Sequence, residues 1–167
     1  MNKNPEQNLI DKFRSLLKGK DNDFSVDIEI NFNCKAHKKA DIEYISKSGD
    51  HFVIEAKSHH SKDAYNSVHK LFGELLKETG RLRDTKKIKY GILIPKDEYN
   101  EKNGITFYRE CFRKINRTKF IEFGKLIPMS YVFVCSQESS YIDIYTWANF
   151  YEGKKPDRTI QNIDKSV

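Results

Sequence analysis

Apolar residues change their spacing several times along the chain, and each change predicts an element. Asn4 can cap a helix that opens on Pro5, in which Leu9, Ile10, Phe13, Leu16 and Leu17 recur at helical spacing until Gly19 closes it. Between Phe24 and Phe32 the period falls to two: Phe24, Val26, Ile28, Ile30 and Phe32 alternate with polar residues, as in a half-exposed strand. The alternation returns in Lys39 to Ser46 and in His51 to Lys57, on either side of the turn Lys47-Ser48-Gly49-Asp50, and predicts a β-hairpin. A helix follows from about Lys62 to Arg83, with Ala64, Val68, Leu71, Phe72, Leu75 and Leu76 on its apolar face. Lys87 to Pro95 is an almost continuous apolar run ended by proline, the mark of a strand covered on both faces. Ile105 to Arg117 reads as a helix with Tyr108, Cys111, Phe112 and Ile115 inward, and Met129 to Cys135 and Tyr141 to Trp147 read as strands. Periodicity is lost from Gly153 onward, so residues 1–152 are expected to form one domain and 153–167 a mobile tail.

The predicted hairpin carries chemistry. Glu55 and Lys57 are two positions apart, so their side chains leave one face of the strand, while Phe52, Ile54 and Ala56 leave the other. Asp41 lies near the start of the first strand, across the hairpin from the end of the second, so an Asp, a Glu and a Lys can converge on one spot. Two carboxylates on a buried face are costly unless something neutralises them, and a hard divalent cation held by carboxylate oxygens does so.

In this pattern, Asp41 followed fourteen positions later by Glu55-Ala56-Lys57, the chain resembles the PD-(D/E)xK nuclease superfamily, whose members include many restriction endonucleases, Holliday-junction resolvases and repair nucleases. Ala40 stands where the family name has proline. The predicted order over roughly Asn4 to Pro95 (helix, three strands, helix, strand) also resembles that family. The fold class so implied is mixed α/β: a restriction-endonuclease-like core in which helices flank a central mixed β-sheet.

The resemblance implies a metal-dependent nuclease that hydrolyses phosphodiester bonds in DNA, of restriction, defence or repair type. Asp41, Glu55 and Lys57 would be catalytic. Mg²⁺, with Mn²⁺ as a substitute, would be held by Asp41, Glu55 and the backbone carbonyl of Ala56, and Lys57 would orient or help deprotonate the attacking water, its pKa depressed by nearby cations. In the family an acid on an early helix often approaches the metal site, and Glu6 matches that role by position; an acid in a first turn also complements the helix dipole. One such site cuts one strand, so double-strand cleavage implies a homodimer with two-fold symmetry. On the residues alone, a non-catalytic nucleic-acid-binding module or a protein-interaction subunit on the same fold stays open, as does an ordinary charged hairpin.

Charge adds little to this picture. The net charge of +6 favours a polyanionic partner, yet a composition rich in Lys, Asn and Ile gives much the same balance. Several groups could meet a nucleic acid. Lys35, His37 and Lys38 form a basic cluster just before Asp41, and His59 and His60 follow Lys57, either against a phosphate or as a polar connection. Arg109, Arg113 and Arg117 recur at i+4 on the predicted third helix and form either a phosphate-tracking stripe or a solvated face partnered by Glu110 and Lys114. His69, Lys70 and Glu74 could face the site from the second helix, although Lys70 and Glu74 are spaced as a surface ion pair.

Three cysteines, Cys34, Cys111 and Cys135, without C-x-x-C spacing argue against a disulfide framework, and Cys34 with His37 supplies only half of a zinc site. No apolar run approaches the roughly 20 residues that cross a bilayer, and the N-terminus has no apolar segment of the secretory kind. A cytoplasmic location without membrane association is therefore expected.

Overall fold

The computed structural model describes residues 4–58, 64–84, 87–98 and 101–161 and is mixed α/β. Helix α1 (Pro5–Leu16) opens the chain, with the Asn4 side chain accepting the Glu6 N–H at 2.8 Å. Strands β1 (Val26–Phe32), β2 (Ile42–Ser46) and β3 (His51–Ala56) form an antiparallel meander. Helix α2 (Ala64–Glu78) then crosses to β4 (Ile88–Pro95), which pairs with β3 in parallel. A second crossover through α3 (Gly104–Arg113) and α4 (Arg117–Leu126) leads to β5 (Met129–Cys135), parallel to β4. Strand β6 (Tyr141–Thr146), helix α5 (Trp147–Glu152) and strand β7 (Arg158–Gln161) finish the described chain, with both strands antiparallel to their neighbours. The seven strands thus lie side by side in chain order.

Period two along the central strands divides the core. Phe52, Ile54, Ala56, Leu93 and Phe133 meet Leu9, Ile10 and Phe13 of α1 on one side. Val53, Ile92, Ile94, Val132 and Val134 meet Val68, Leu71, Leu75, Phe112 and Phe120 on the other, where α2 to α5 pack. Every residue of β3 is buried, so the strand that carries Glu55 is covered on both faces and flanked by β2 and β4. That surrounding is what makes its charged group expensive and its position well defined.

Several sequence expectations need correction. The predicted helix from Ile105 to Arg117 is broken: α3 ends at Arg113, and Asn116 caps a new helix by accepting the Lys119 N–H. Helix α4, which the sequence reading did not predict, buries Phe120, packs Ile121 and Phe123 on the core and leaves Leu126 exposed. The strand predicted to reach Trp147 stops at Thr146, whose side chain caps α5, and Gly153 at φ 78° ends that helix. Strand β1 carries two register shifts, which turn Ile28 outward and interrupt its expected alternation. Helix α2 ends at Glu78 rather than Arg83, and Leu76 faces outward.

The segment read as a tail from Gly153 also contains structure. Arg158–Gln161 pairs with β6, buries Ile160, and ties Arg158 to Asp21 and Asp23. Four residues with a single apolar side chain are too few to show a period. No helix among the described residues is long and apolar enough to cross a membrane.

Candidate metal centre

The site lies where the hairpin opens. The register that pairs Ile42 with Ile54 continues to bring Asp41 opposite Glu55. Asp41 is held from both sides: Asn31 Nδ2 donates to the Ala40 carbonyl at 2.6 Å, the Asn33 N–H donates to the Asp41 carbonyl at 3.1 Å, and the Asp41 carboxylate accepts the Ala56 N–H at 3.0 Å. Ala40, the residue before Asp41, is fully buried in the core on the α2 side. Beyond Ala56 the Lys57 N–H still bonds the Leu93 carbonyl at 3.0 Å, so β4 fixes the backbone of Lys57. Tyr108 on α3 donates its hydroxyl to the Ser58 carbonyl at 3.2 Å and anchors the next residue.

Helix α2 contributes a third acid. One oxygen each of Asp41, Glu55 and Glu74 lie within 4.8 Å of one another, a spacing that could hold a metal ion. Glu74 also accepts a hydrogen bond from Lys57 Nζ at 2.8 Å. Of the two sequence readings of Glu74, facing the site or pairing with Lys70, this contact fits the first, and Lys70 and His69 are exposed. Glu6 approaches from α1: it accepts a hydrogen bond from the Ser58 backbone and feels the charges of Lys57, Asp41 and Glu74, yet it stands outside the group of three.

Electrostatics describe a site short of positive charge. Burial and the charge of Asp41 push the Glu55 carboxyl up to about 10, and its proton bonds Asp41. Burial also raises Asp41 and Glu6 above the usual carboxylate range. For Lys57 burial works to lower the pKa, but the Glu74 hydrogen bond and the charges of Glu74, Glu6 and Asp41 outweigh it, so the net shift is upward. Without a cation beside it Lys57 is therefore an ammonium held by carboxylates. A divalent cation among these oxygens would offset the burial and the negative charge that raise the Asp41 and Glu55 carboxyls.

A second buried polar cluster sits farther along the same sheet face. Arg83 spans Glu43, with Nε and Nη2 each at 3.1 Å, and Glu78, at 2.8 Å, while His51 Nε2 lies 2.6 Å from Glu43. Arg81 adds a further bond to Glu78 at 2.8 Å. This cluster clamps the end of α2 to β2, one helical turn from Glu74. Sequence reading missed it. Glu43 falls between Ile42 and Tyr44, at what alternation makes a polar position, so nothing local marked it as buried.

The other predicted residues divide sharply. Lys35 and Lys38 are exposed on the loop that enters Asp41. His59 and His60 lie outside the described residues. The three arginines do not form one helical stripe, because the helix breaks between Arg113 and Arg117. They are instead spent on the end of α5: Arg109 Nε donates to the Phe150 carbonyl at 2.6 Å, Arg113 Nε to the Tyr151 carbonyl at 2.8 Å, and Arg117 pairs with Glu152. No protein-family model, curated protein or solved structure matches this chain.

Proposed function

We propose that this protein is a metal-dependent nuclease that hydrolyses phosphodiester bonds in DNA, on a restriction-endonuclease-like core. The observation that carries the reading is the convergence of Asp41, Glu55 and Glu74 oxygens within 4.8 Å, beside an ammonium that is itself held in place. A carboxylate set of this kind suits Mg²⁺ or Mn²⁺. Asp41, Glu55 and Glu74, with the Ala56 carbonyl as a further oxygen, would hold the cation, whose charge would acidify water and offset the negative charge of a reacting phosphate. Lys57, fixed by Leu93 and Glu74, directs its N–H donors at the attacking water or a phosphate oxygen. Lys35 and Lys38 offer flanking phosphate contacts, which position a substrate without reading its bases. Two sites on a two-fold homodimer would cut opposite strands.

The test is direct. Supercoiled plasmid, single-stranded DNA and RNA are incubated with the purified protein in Mg²⁺, Mn²⁺ or EDTA. DNA cleavage that needs the metal is expected, with losses of roughly 100-fold or more for Asp41→Asn, Glu55→Gln and Lys57→Ala at unchanged circular dichroism. Cleavage that persists in EDTA, or at full rate in Glu55→Gln, would refute the assignment.

A further inference from the structure

Asn31 lies on the edge strand β1, and its side chain reaches the backbone that leads into Asp41. A bulge puts it there. Glu29 pairs with Tyr44 and Asn31 with Glu43, so β1 uses one residue more than β2 over this step, and Ile30 is the extra one. Such a bulge bends a strand and re-aims the side chains beside it. Phe32, next along, is buried in the core on the α1 side, so Asn31 leaves the opposite face, toward the layer in which Ala40 is buried.

The Asn31 Nδ2 faces three backbone carbonyl oxygens: that of Ala40 at 2.6 Å, that of Asn33 at 3.1 Å and that of Asp41 at 3.4 Å. Carbonyls accept and do not donate, so the nitrogen of the carboxamide, not its oxygen, belongs on this side. An NH₂ carries two hydrogens, which makes the two shorter contacts its bonds and the third a long approach. Those two bonds clip both ends of the loop that carries Lys35 and Lys38, since Asn33 enters it and Ala40 leaves it. Gln7 braces the same loop from α1, donating to the Phe32 carbonyl at 3.0 Å and accepting the Cys34 N–H at 3.1 Å. The clip acts on Asp41 through one peptide group: the Ala40 carbonyl and the Asp41 nitrogen share a rigid plane, so fixing the oxygen fixes the direction in which Asp41 leaves. Asp41 needs this because it stands one residue before Ile42, where β2 begins.

We propose that Asn31 is a positioning residue of the candidate metal centre: its two N–H bonds set the peptide before Asp41 and, through it, the carboxylate that meets Glu55 and Glu74. The effect on metal binding follows from the carboxylate geometry, whereas the effect on cleavage rests on the nuclease reading.

Mn²⁺ binding without DNA is measured by isothermal titration for the unaltered protein, Asn31→Ala and Asn31→Gln, beside DNA cleavage over a range of Mn²⁺ concentrations. The side chain is only partly buried, so both variants are expected to fold, which circular dichroism checks. Asn31→Ala should bind Mn²⁺ about tenfold more weakly, and its cleavage should recover as Mn²⁺ is raised. Asn31→Gln keeps both donors on a longer stem and should regain most of the affinity. Asn149→Ala is the control for a purely structural effect: it loses a carboxamide bond to Asp157 of 2.7 Å, on a helix that follows β6, and should leave Mn²⁺ affinity unchanged. The expected affinities without cleavage of any substrate would support the positioning role and remove the nuclease reading. Metal-dependent cleavage with full Mn²⁺ affinity in Asn31→Ala would overturn the positioning role and leave the nuclease reading standing. Equal losses in Asn31→Ala and Asn31→Gln, or as large a loss in Asn149→Ala, would overturn the role of the Asn31 donors. An unaltered protein that binds no Mn²⁺ would overturn both.

Discussion

Lys57 Nζ lies 2.8 Å from Glu74 Oε1, which joins the last residue of the strand motif to a helix that the motif does not contain. A lysine has a flexible four-carbon stem, and an unpaired one would sample many positions around the cluster. Glu74 selects one of them. Because a Glu74 oxygen also lies within 4.8 Å of oxygens from Asp41 and Glu55, any cation that binds there meets the same carboxylate that holds the ammonium.

Replacing Glu74 by Gln therefore removes charge from both tasks at nearly constant shape. Magnesium or manganese affinity, measured by isothermal titration, should fall on the order of 10–100-fold, and cleavage should fall with it. An affinity equal to that of the unaltered protein would place Glu74 outside the centre.

The Glu55 carboxyl makes a prediction about pH. Its folded value of about 10 lies far above the ordinary 4.5, mainly through burial and then through Asp41. Between those values the folded state holds a proton that the unfolded chain has released, so stability falls as pH rises across that window. The slope for one proton is up to about 1.4 kcal/mol per pH unit. In EDTA the urea midpoint should drop as pH is raised from about 5 to about 9, and Glu55→Gln should flatten the drop. Added Mg²⁺ should offset it, because the cation takes over the neutralisation. An unchanged slope in Glu55→Gln would mean that Glu55 is ionised throughout.

Arg83 makes a prediction about stability. Its side chain is 5% exposed between Glu43 at 9% and Glu78 at 3%, so removing it leaves two buried carboxylates with, among the described ion pairs, His51 on Glu43 and Arg81 on Glu78. Arg83→Met should cost about 3–5 kcal/mol in urea unfolding. Lys102, whose ion pair with Glu110 is about half exposed on both sides, is the control, and Lys102→Met should leave the midpoint where it is. A small effect at Arg83 would mean that His51 and Arg81 already neutralise the cluster.

The sheet and half of the site could be read along the chain because both depend on period two. Phe52, Ile54 and Ala56 against Glu55 divides β3 between two layers, and that division alone puts Glu55 and Lys57 on one side. What could not be read depends on contacts between distant segments. Helical spacing left Glu74 two readings, the site or Lys70, and only the packing of α2 across β3 decides for the site, while Arg83 reaches Glu43 over 40 positions. Local signals were present at Asn116 and Thr146, both good helix caps, but the ten residues of α4 and six of α5 are too short for a helical period to stand out.

The arginines of α3 and α4 show how a sound local pattern can be redirected by packing. Arg109 and Arg113 each donate to a carbonyl in the last turn of α5, where few backbone N–H partners remain; the Phe150 carbonyl also accepts the Gly153 N–H at 3.3 Å. The guanidinium of Arg109 also lies 4.8 Å from the centre of the Phe150 ring. Bonds from charged donors of this kind contribute about 1.5–3 kcal/mol, so Arg109→Gln and Arg113→Gln should each lower the urea midpoint. Arg117, with 63% of its side chain exposed, should matter little. The triple variant should then be less stable but keep the slope of log DNA affinity against log salt. A slope shallower by roughly 0.9 for each arginine, at unchanged stability, would return all three to the DNA-binding face. The same plot for Lys35→Gln/Lys38→Gln should flatten, since those side chains stand exposed on the loop that leads into Asp41.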